Sequence, residues 1–260
     1  MEYTREELRE KGFTKIESVF DVDYCAKIND SIDKSYELCR NIQIKNEIDA
    51  VTDGTIHHLL ATNDTIFVEI LDKIGKSSLY QFIKDFFQGN FIINSYGGVK
   101  NLKSKPSYVA NVHRDIRFFS GDFPLMLNLL IMLDDFTIEN GATYLLAGSH
   151  KKPERPLDDE FYKYSNRAIG KRGDIIFFNS NLWHAAGINS TNQERRAITI
   201  TFTKPFMKQQ LDYPRAVGFD KLEKMNIELQ QIIGYFSRTP SNLDEWYQRP
   251  EKRFYRPKQD

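Results

Sequence analysis

Cysteine is scarce. Only Cys25 and Cys39 occur in 260 residues, too few for a disulfide framework or a thiolate-built zinc site. An excess of either charge is missing too: 36 basic residues are matched by 36 acidic ones, which leaves no electrostatic argument for nucleic acid or an anionic membrane surface. Long apolar runs are lacking. Nothing approaches the roughly 20 residues of a membrane-spanning helix, and the opening MEYTREELREKGF has no apolar stretch of signal-peptide length. These absences lead to the expectation of a cytoplasmic protein with neither a membrane nor a nucleic-acid partner. On that footing the N-x-T triplets at Asn63 and Asn189 are chance matches.

What is present suffices for a core, with hydrophobic residues at 40% and aromatics at 13%. Residues 1–90 read as helical. TREELREKGF places Thr4 and Glu7 at capping-box spacing ahead of Gly12. Tyr24, Ile28, Ile32 and Tyr36 recur at a helical period, and a further helix runs through TIFVEILDKIGKSSLYQFIKDFF with a break near Gly75. The character changes at residue 91. FIINSY, LMLNLLIML, ATYLLAG, GDIIFFNS and RAITITF are short, β-branched or aromatic, and bounded by Gly, Asn, Asp or Pro, as strands are. Few helix-length insertions separate them, which favours a sandwich or barrel over a parallel βαβ sheet. A helical pattern returns after Pro205. With no internal repeat or low-complexity linker, the expectation is one domain over residues 1–260: N-terminal helices over 1–90, a β core over about 91–205, and a helical segment and tail over 206–260.

Histidine is also sparse, at five residues: His57, His58, His113, His150 and His184. His113 and Asp115 lie two apart, and in extended chain positions i and i+2 face the same way. His184 follows the apolar strand GDIIFFNS at a place where a side chain can face a pocket. Two imidazoles and a carboxylate on one face of an octahedron suit non-haem Fe(II) with open positions. Zinc more often uses a helical H-E-x-x-H pair or thiolates, and the sequence has neither. Alone, an H-x-D tripeptide is too short to decide between a metal site and a surface ion pair. Arg195 adds weight, because a guanidinium entering an apolar β core needs an anion, and a small dicarboxylate reaching from the metal would supply one. Arg196 competes for that role, but alternation puts the two on opposite faces.

Taken in order and spacing, VHRD, LDDFTIENGATYLLAGSHK, GDIIFFNSNLWHAAG and RRAITITF resemble the phytanoyl-CoA dioxygenase family of Fe(II)- and 2-oxoglutarate-dependent oxygenases. The resemblance runs from about Phe91 to Phe202. It implies a mainly β fold with flanking helices, a double-stranded β-helix or cupin-like jelly roll. It implies His113, Asp115 and His184 as iron ligands, and Arg195 on the far carboxylate of 2-oxoglutarate. Asn94, Asn128 and Thr143 are implied as polar contacts of the co-substrate. The implied reaction uses O2 to hydroxylate a small-molecule substrate, with release of succinate and CO2. The chain departs from some members at Ala186, where a hydroxyl stands two residues after the distal histidine. It keeps Asp115, where related halogenases carry a small residue, so halogenation is disfavoured. A non-catalytic jelly-roll binding module and a cupin-type metal enzyme that does not use O2 stay open as alternatives.

Overall fold

The computed structural model describes residues 2–103 and 108–259. In chain order its elements begin with α1 (Glu2–Lys11), β1 (Phe13–Ile16), α2 (Val22–Lys45), α3 (Asp49–Thr52) and β2 (Thr55–Ile56). Next come α4 (Thr65–Gly75), α5 (Ser78–Phe87), β3 (Ile92–Asn101), β4 (Met126–Met132) and β5 (Tyr144–Leu145). They are followed by α6 (Asp158–Tyr164), β6 (Asn166–Arg167), β7 (Ile175–Asn179), β8 (His184–Ala185) and β9 (Arg195–Thr203). After these stand α7 (Tyr213–Val217), α8 (Ile227–Ile233) and α9 (Leu243–Trp246). The chain forms two compact units, Met1–His57 with Gly97–Ile200, and His58–Tyr96 with Thr201–Asp260.

The first unit carries a sheet of order β1-β7-β4-β9-β3-β2 and a smaller one of order β6-β5-β8. Pairing is antiparallel, with Leu129 opposite Phe177 between β4 and β7 and Leu145 opposite His184 between β5 and β8. β4 and β7 are buried along almost their whole length, which is why both read as apolar runs instead of alternating. Leu130, Met132, Phe136, Leu145, Ile176 and Phe178 form the centre of one core cluster. Helices hold more of the chain than strands do, so the mainly β expectation describes residues 91–205 and not the whole. The sheets are antiparallel and flanked by helices.

Local chemistry explains the helix limits. The Asp21 side chain accepts the Tyr24 N–H at 2.7 Å and starts α2, whose buried stripe runs Cys25, Ile28, Ile32 and Ser35. Thr4 does not cap α1 as its spacing with Glu7 suggested. The helix begins two residues earlier, and Glu7 instead accepts hydrogen bonds from Lys11 and from the Thr14 hydroxyl. The stop at Gly12 holds, because Gly12 has φ +85° and a Cβ there would run into the His150 ring.

In the second unit the break near Gly75 is a real one: α4 ends at Gly75, and Ser77 caps α5 by accepting the Leu79 N–H. Phe67, Ile70, Leu71, Phe82, Ile83 and Phe87 are buried there. Phe91 stands edge-on to Phe202, with ring centroids 5.4 Å apart. Among the described residues no helix is long and apolar enough to cross a membrane.

Candidate metal centre

His113 and His184 exchange both main-chain hydrogen bonds, at 3.0 and 2.9 Å, as an isolated antiparallel bridge. Asp115 lies in the bend just after it, so the extended geometry inferred from the H-x-D spacing is held by this single bridge and not by a long strand. The side chains nonetheless converge. Asp115 Oδ1 is 3.6 Å from His113 Nε2, and Oδ2 is 3.7 Å from His184 Nε2. One ligand atom from each residue lies within 4.8 Å of the others, and among the described residues no other trio of His, Cys, Asp or Glu is so arranged.

Both imidazoles are oriented by main-chain carbonyls. His113 Nδ1 is 2.7 Å from the Asn111 carbonyl, and His184 Nδ1 is 2.9 Å from that of Leu182. A carbonyl only accepts, so each Nδ1 carries the proton and each Nε2 lone pair faces Asp115. That is the tautomer a metal ligand needs, held by the kind of outer hydrogen bond that supports one. Asn128, inward from β4, donates to Asp115 Oδ2 at 2.7 Å and to the Ser180 hydroxyl at 3.0 Å. Asn128 thus grips the Asp115 carboxylate directly.

Burial shapes the charges. His184 is 7% exposed, and burial pushes its pKa down to about 4, so it is neutral at physiological pH. Burial also opposes charge on His113, but the adjacent Asp115 outweighs it and raises its pKa. For Asp115, burial works upward, and the two imidazoles with the Asn128 amide overcome it, holding the carboxyl below its ordinary range. The His113 and Asp115 side chains keep 33% and 32% exposure, so the group is open on one side to a small molecule. Two imidazoles that present Nε2 to one ionised carboxylate, with one face accessible, fit a divalent transition metal of borderline softness.

Arg195 begins β9 and is 2% exposed, with its guanidinium 4.0 Å above the Phe136 ring. Its buried Nε has no hydrogen-bond partner among the described residues, and no carboxylate there lies within ion-pair distance. Burial brings its pKa down to about 9. Arg196, on the other face, is fully engaged with Asp33 at 3.1 Å, Asp134 at 3.4 Å and Glu194 at 3.2 Å. The two arginines thus separate as strand alternation requires, and the orphaned one is the one aimed into the core.

The other sequence candidates have the following partners. Asn94, in the second unit, donates to the Lys208 carbonyl at 2.8 Å. Thr143 is buried just ahead of β5, and its carbonyl accepts the Ala168 N–H. His150 Nε2 lies 3.1 Å from the Arg9 carbonyl, and His58 Nδ1 lies 2.9 Å from the Tyr213 hydroxyl. Beyond Lys151, α6 inserts the buried Phe161 beside Val112 and Ala185. Sequence reasoning passed over Arg114, although it sits between the two close candidates. Its guanidinium lies 4.3 Å over Trp183, and it donates to the Lys152 carbonyl at 2.9 Å.

Antiparallel sheets bearing one open His–Asp–His group define a candidate mononuclear metal protein. The particular family follows from comparison. Residues 8–197 match the family model described as Phytanoyl-CoA dioxygenase (PhyH), and the chain belongs to that family. It is 37% identical over 172 residues to the uncharacterized protein Rv1501 of Mycobacterium tuberculosis, covering 65% of this chain and 61% of that one. It is 32% identical to the iron/alpha-ketoglutarate-dependent dioxygenase penM of Penicillium thymicola over 143 residues, which is 50% of this chain and 44% of penM. The match thus spans less than two thirds of these relatives. Among solved structures, AviO1 from Streptomyces viridochromogenes shares the fold with a TM-score of 0.57 at 22% identity, covering 78% of this chain and 95% of that one.

Proposed function

We propose that the protein is an Fe(II)- and 2-oxoglutarate-dependent dioxygenase that hydroxylates a small-molecule metabolite, built on a double-stranded β-helix. The observation that carries this reading is the pair of imidazoles fixed in one tautomer, with both Nε2 atoms turned to one carboxylate within 4 Å. The names of relatives such as penM support the co-substrate. The antiparallel pairing of the larger and smaller sheets supports the jelly roll, whose two faces they would form.

In this reading His113, Asp115 and His184 hold the iron. When bound with 2-oxoglutarate and O2, the metal supplies the oxidising power for hydroxylation of a C–H bond, with release of succinate and CO2. The chain's own share is positioning. Asn128 fixes the Asp115 carboxylate, and the Asn111 and Leu182 carbonyls keep the Nδ1 protons in place, leaving no ring free to rotate. Arg195 takes the far carboxylate of 2-oxoglutarate, which satisfies its orphaned nitrogen and offsets its desolvation. The apolar surroundings, Phe136 and Phe178 among them, keep that anion dry and its hydrogen bonds strong. Retention of Asp115 favours hydroxylation over halogenation, because the carboxylate stands where an anion would otherwise reach the metal.

The test is an anaerobic titration with Fe(II) and then 2-oxoglutarate, followed by the visible metal-to-ligand charge-transfer band. A band is expected in the wild type, and Arg195→Ala should need at least tenfold more 2-oxoglutarate to reach it. A folded wild-type protein that binds iron but gives no band would turn the assignment to a metal enzyme that does not use 2-oxoglutarate.

A further inference from the structure

We propose that the second unit carries a separate site for an organic anion with an apolar body, its carboxylate or phosphate head on Arg238 and Lys208 and its body against Phe206, Phe219 and Phe254. The cavity lies wholly among residues of that unit and has a volume of about 710 Å³, within the range of roughly 300–1,000 Å³ usual for small-ligand sites.

One wall is built by the chain's last described residues, which are tied down. Arg238 N–H donates to the Phe254 carbonyl at 3.0 Å, and Arg256 N–H donates to that of Phe236 at 2.9 Å. Beyond them, the buried Gln259 side chain accepts from Gln231 Nε2 at 2.9 Å and from the Ser237 hydroxyl at 3.0 Å. Phe254 therefore faces the cavity from a fixed backbone.

Arg238 is held for recognition. Its guanidinium lies 3.9 Å from the Phe254 ring centroid and 5.0 Å from that of Phe219, and its Nε donates to the Tyr235 carbonyl at 3.0 Å. With the two rings and Nε fixing the group, its terminal nitrogens are left as a preorganised fork. Among the described residues they have no hydrogen-bond partner, and no carboxylate lies within ion-pair distance.

The charge count points the same way. Three cations line the cavity, Lys208, Arg215 and Arg238, against two carboxylates, Asp212 and Glu245, leaving one cation in excess. Both acids are also committed. Asp212 accepts the Arg215 N–H and lies 3.5 Å from its Nε, while Glu245 accepts the Ser241 N–H at 2.6 Å and hydroxyl at 2.8 Å. The net excess is positive, and the rest of the lining combines aromatic and aliphatic side chains with the neutral polar Gln209, Ser237, Thr239 and Ser241. Burial, which lowers the Arg238 pKa, adds to the gain from a bound counter-charge.

The test is calorimetric titration of the full chain with octanoate and with octyl phosphate, using inorganic phosphate as the head-only probe. Saturable binding of at least one amphiphile is expected, at least tenfold weaker in Arg238→Gln and unchanged in Arg195→Ala, with inorganic phosphate binding more weakly than octyl phosphate. The tighter of the two amphiphiles identifies the head group. If Arg238→Gln does not fold, the exposed Lys208→Gln carries the test, with a loss of about threefold expected. Three results would overturn the site: no saturable binding of either amphiphile, equal binding by both charge variants, or loss of binding in Arg195→Ala.

Discussion

At His113 and His184 the functional nitrogen is selected by the main chain. The Asn111 and Leu182 carbonyls each lie two residues before the histidine they orient, and each removes Nδ1 from competition. Asn128 does the corresponding work for Asp115. Replacing it with Ala should leave the fold intact, weaken metal binding by about 10- to 100-fold and thereby the charge-transfer band, as outer-sphere losses do; equal Fe(II) affinity in a titration would refute the role. Arg195 makes the opposite kind of prediction. As an unpaired buried cation it is a burden on the ligand-free protein, so Arg195→Met should raise ligand-free stability by about 1–2 kcal/mol in urea unfolding. The same variant should lose 2-oxoglutarate binding, and a destabilised Arg195→Met would mean that the arginine has a partner in the resting protein.

At the scale of elements, α2, β3 and β9 are joined by charge on the face opposite Arg195. Lys100 lies 2.9 Å from Asp33 and 3.0 Å from Glu194, and Arg196 reaches Asp33 as well. Burial pushes the Asp33 carboxyl up, but Arg196 and Lys100 outweigh it and hold it below its ordinary value of 3.8. A carboxyl with a lowered folded pKa stabilises the protein above its ordinary value, and the contribution is lost as pH falls through the folded one. Asp33 is 41% exposed on its side chain, so solvent screening limits the effect to under about 1 kcal/mol. Thermal melts should therefore show Asp33→Asn less stable than wild type at neutral pH, with the gap closing below about pH 4; a gap independent of pH would exclude an ionic origin.

The elements also show which features a sequence displays. Apolar strands such as β7 were legible because burial on both faces writes itself into composition, and the α2 stripe was legible through its period. The His113–Asp115 pair was visible for the same periodic reason, and alternation correctly separated Arg195 from Arg196. The Thr4–Glu7 capping box misled because tertiary partners, Lys11 and Thr14, took Glu7 instead. The hydrogen bond from Asn128 to Asp115 was not legible, since only folding brings β4 beside the bend at Asp115. Carbonyls that orient the imidazoles belong to the backbone, and no residue type marks them.

For the molecule as a whole, all three candidate ligands and Arg195 belong to the first unit, whereas the Arg238 cavity belongs to the second. A metal that binds only the folded state stabilises it by about 2.7 kcal/mol at a hundredfold excess over its Kd. In hydrogen exchange, Co(II) as a redox-silent substitute should protect segments 111–116, 126–131 and 176–186 most strongly. Protection centred on residues 205–255 instead would place the metal elsewhere. Titration with octyl phosphate should give the complementary pattern.

The paired main-chain bonds between His113 and His184 act as a gauge. They involve only N–H and C=O groups, so the distance across the centre, about 5.5 Å between Cα atoms for such a pair, is indifferent to which side chains stand there. A substitution at either position should accordingly leave its counterpart in register. The chain has in effect a socket whose spacing the backbone presets, whatever donors the side chains at its two ends supply.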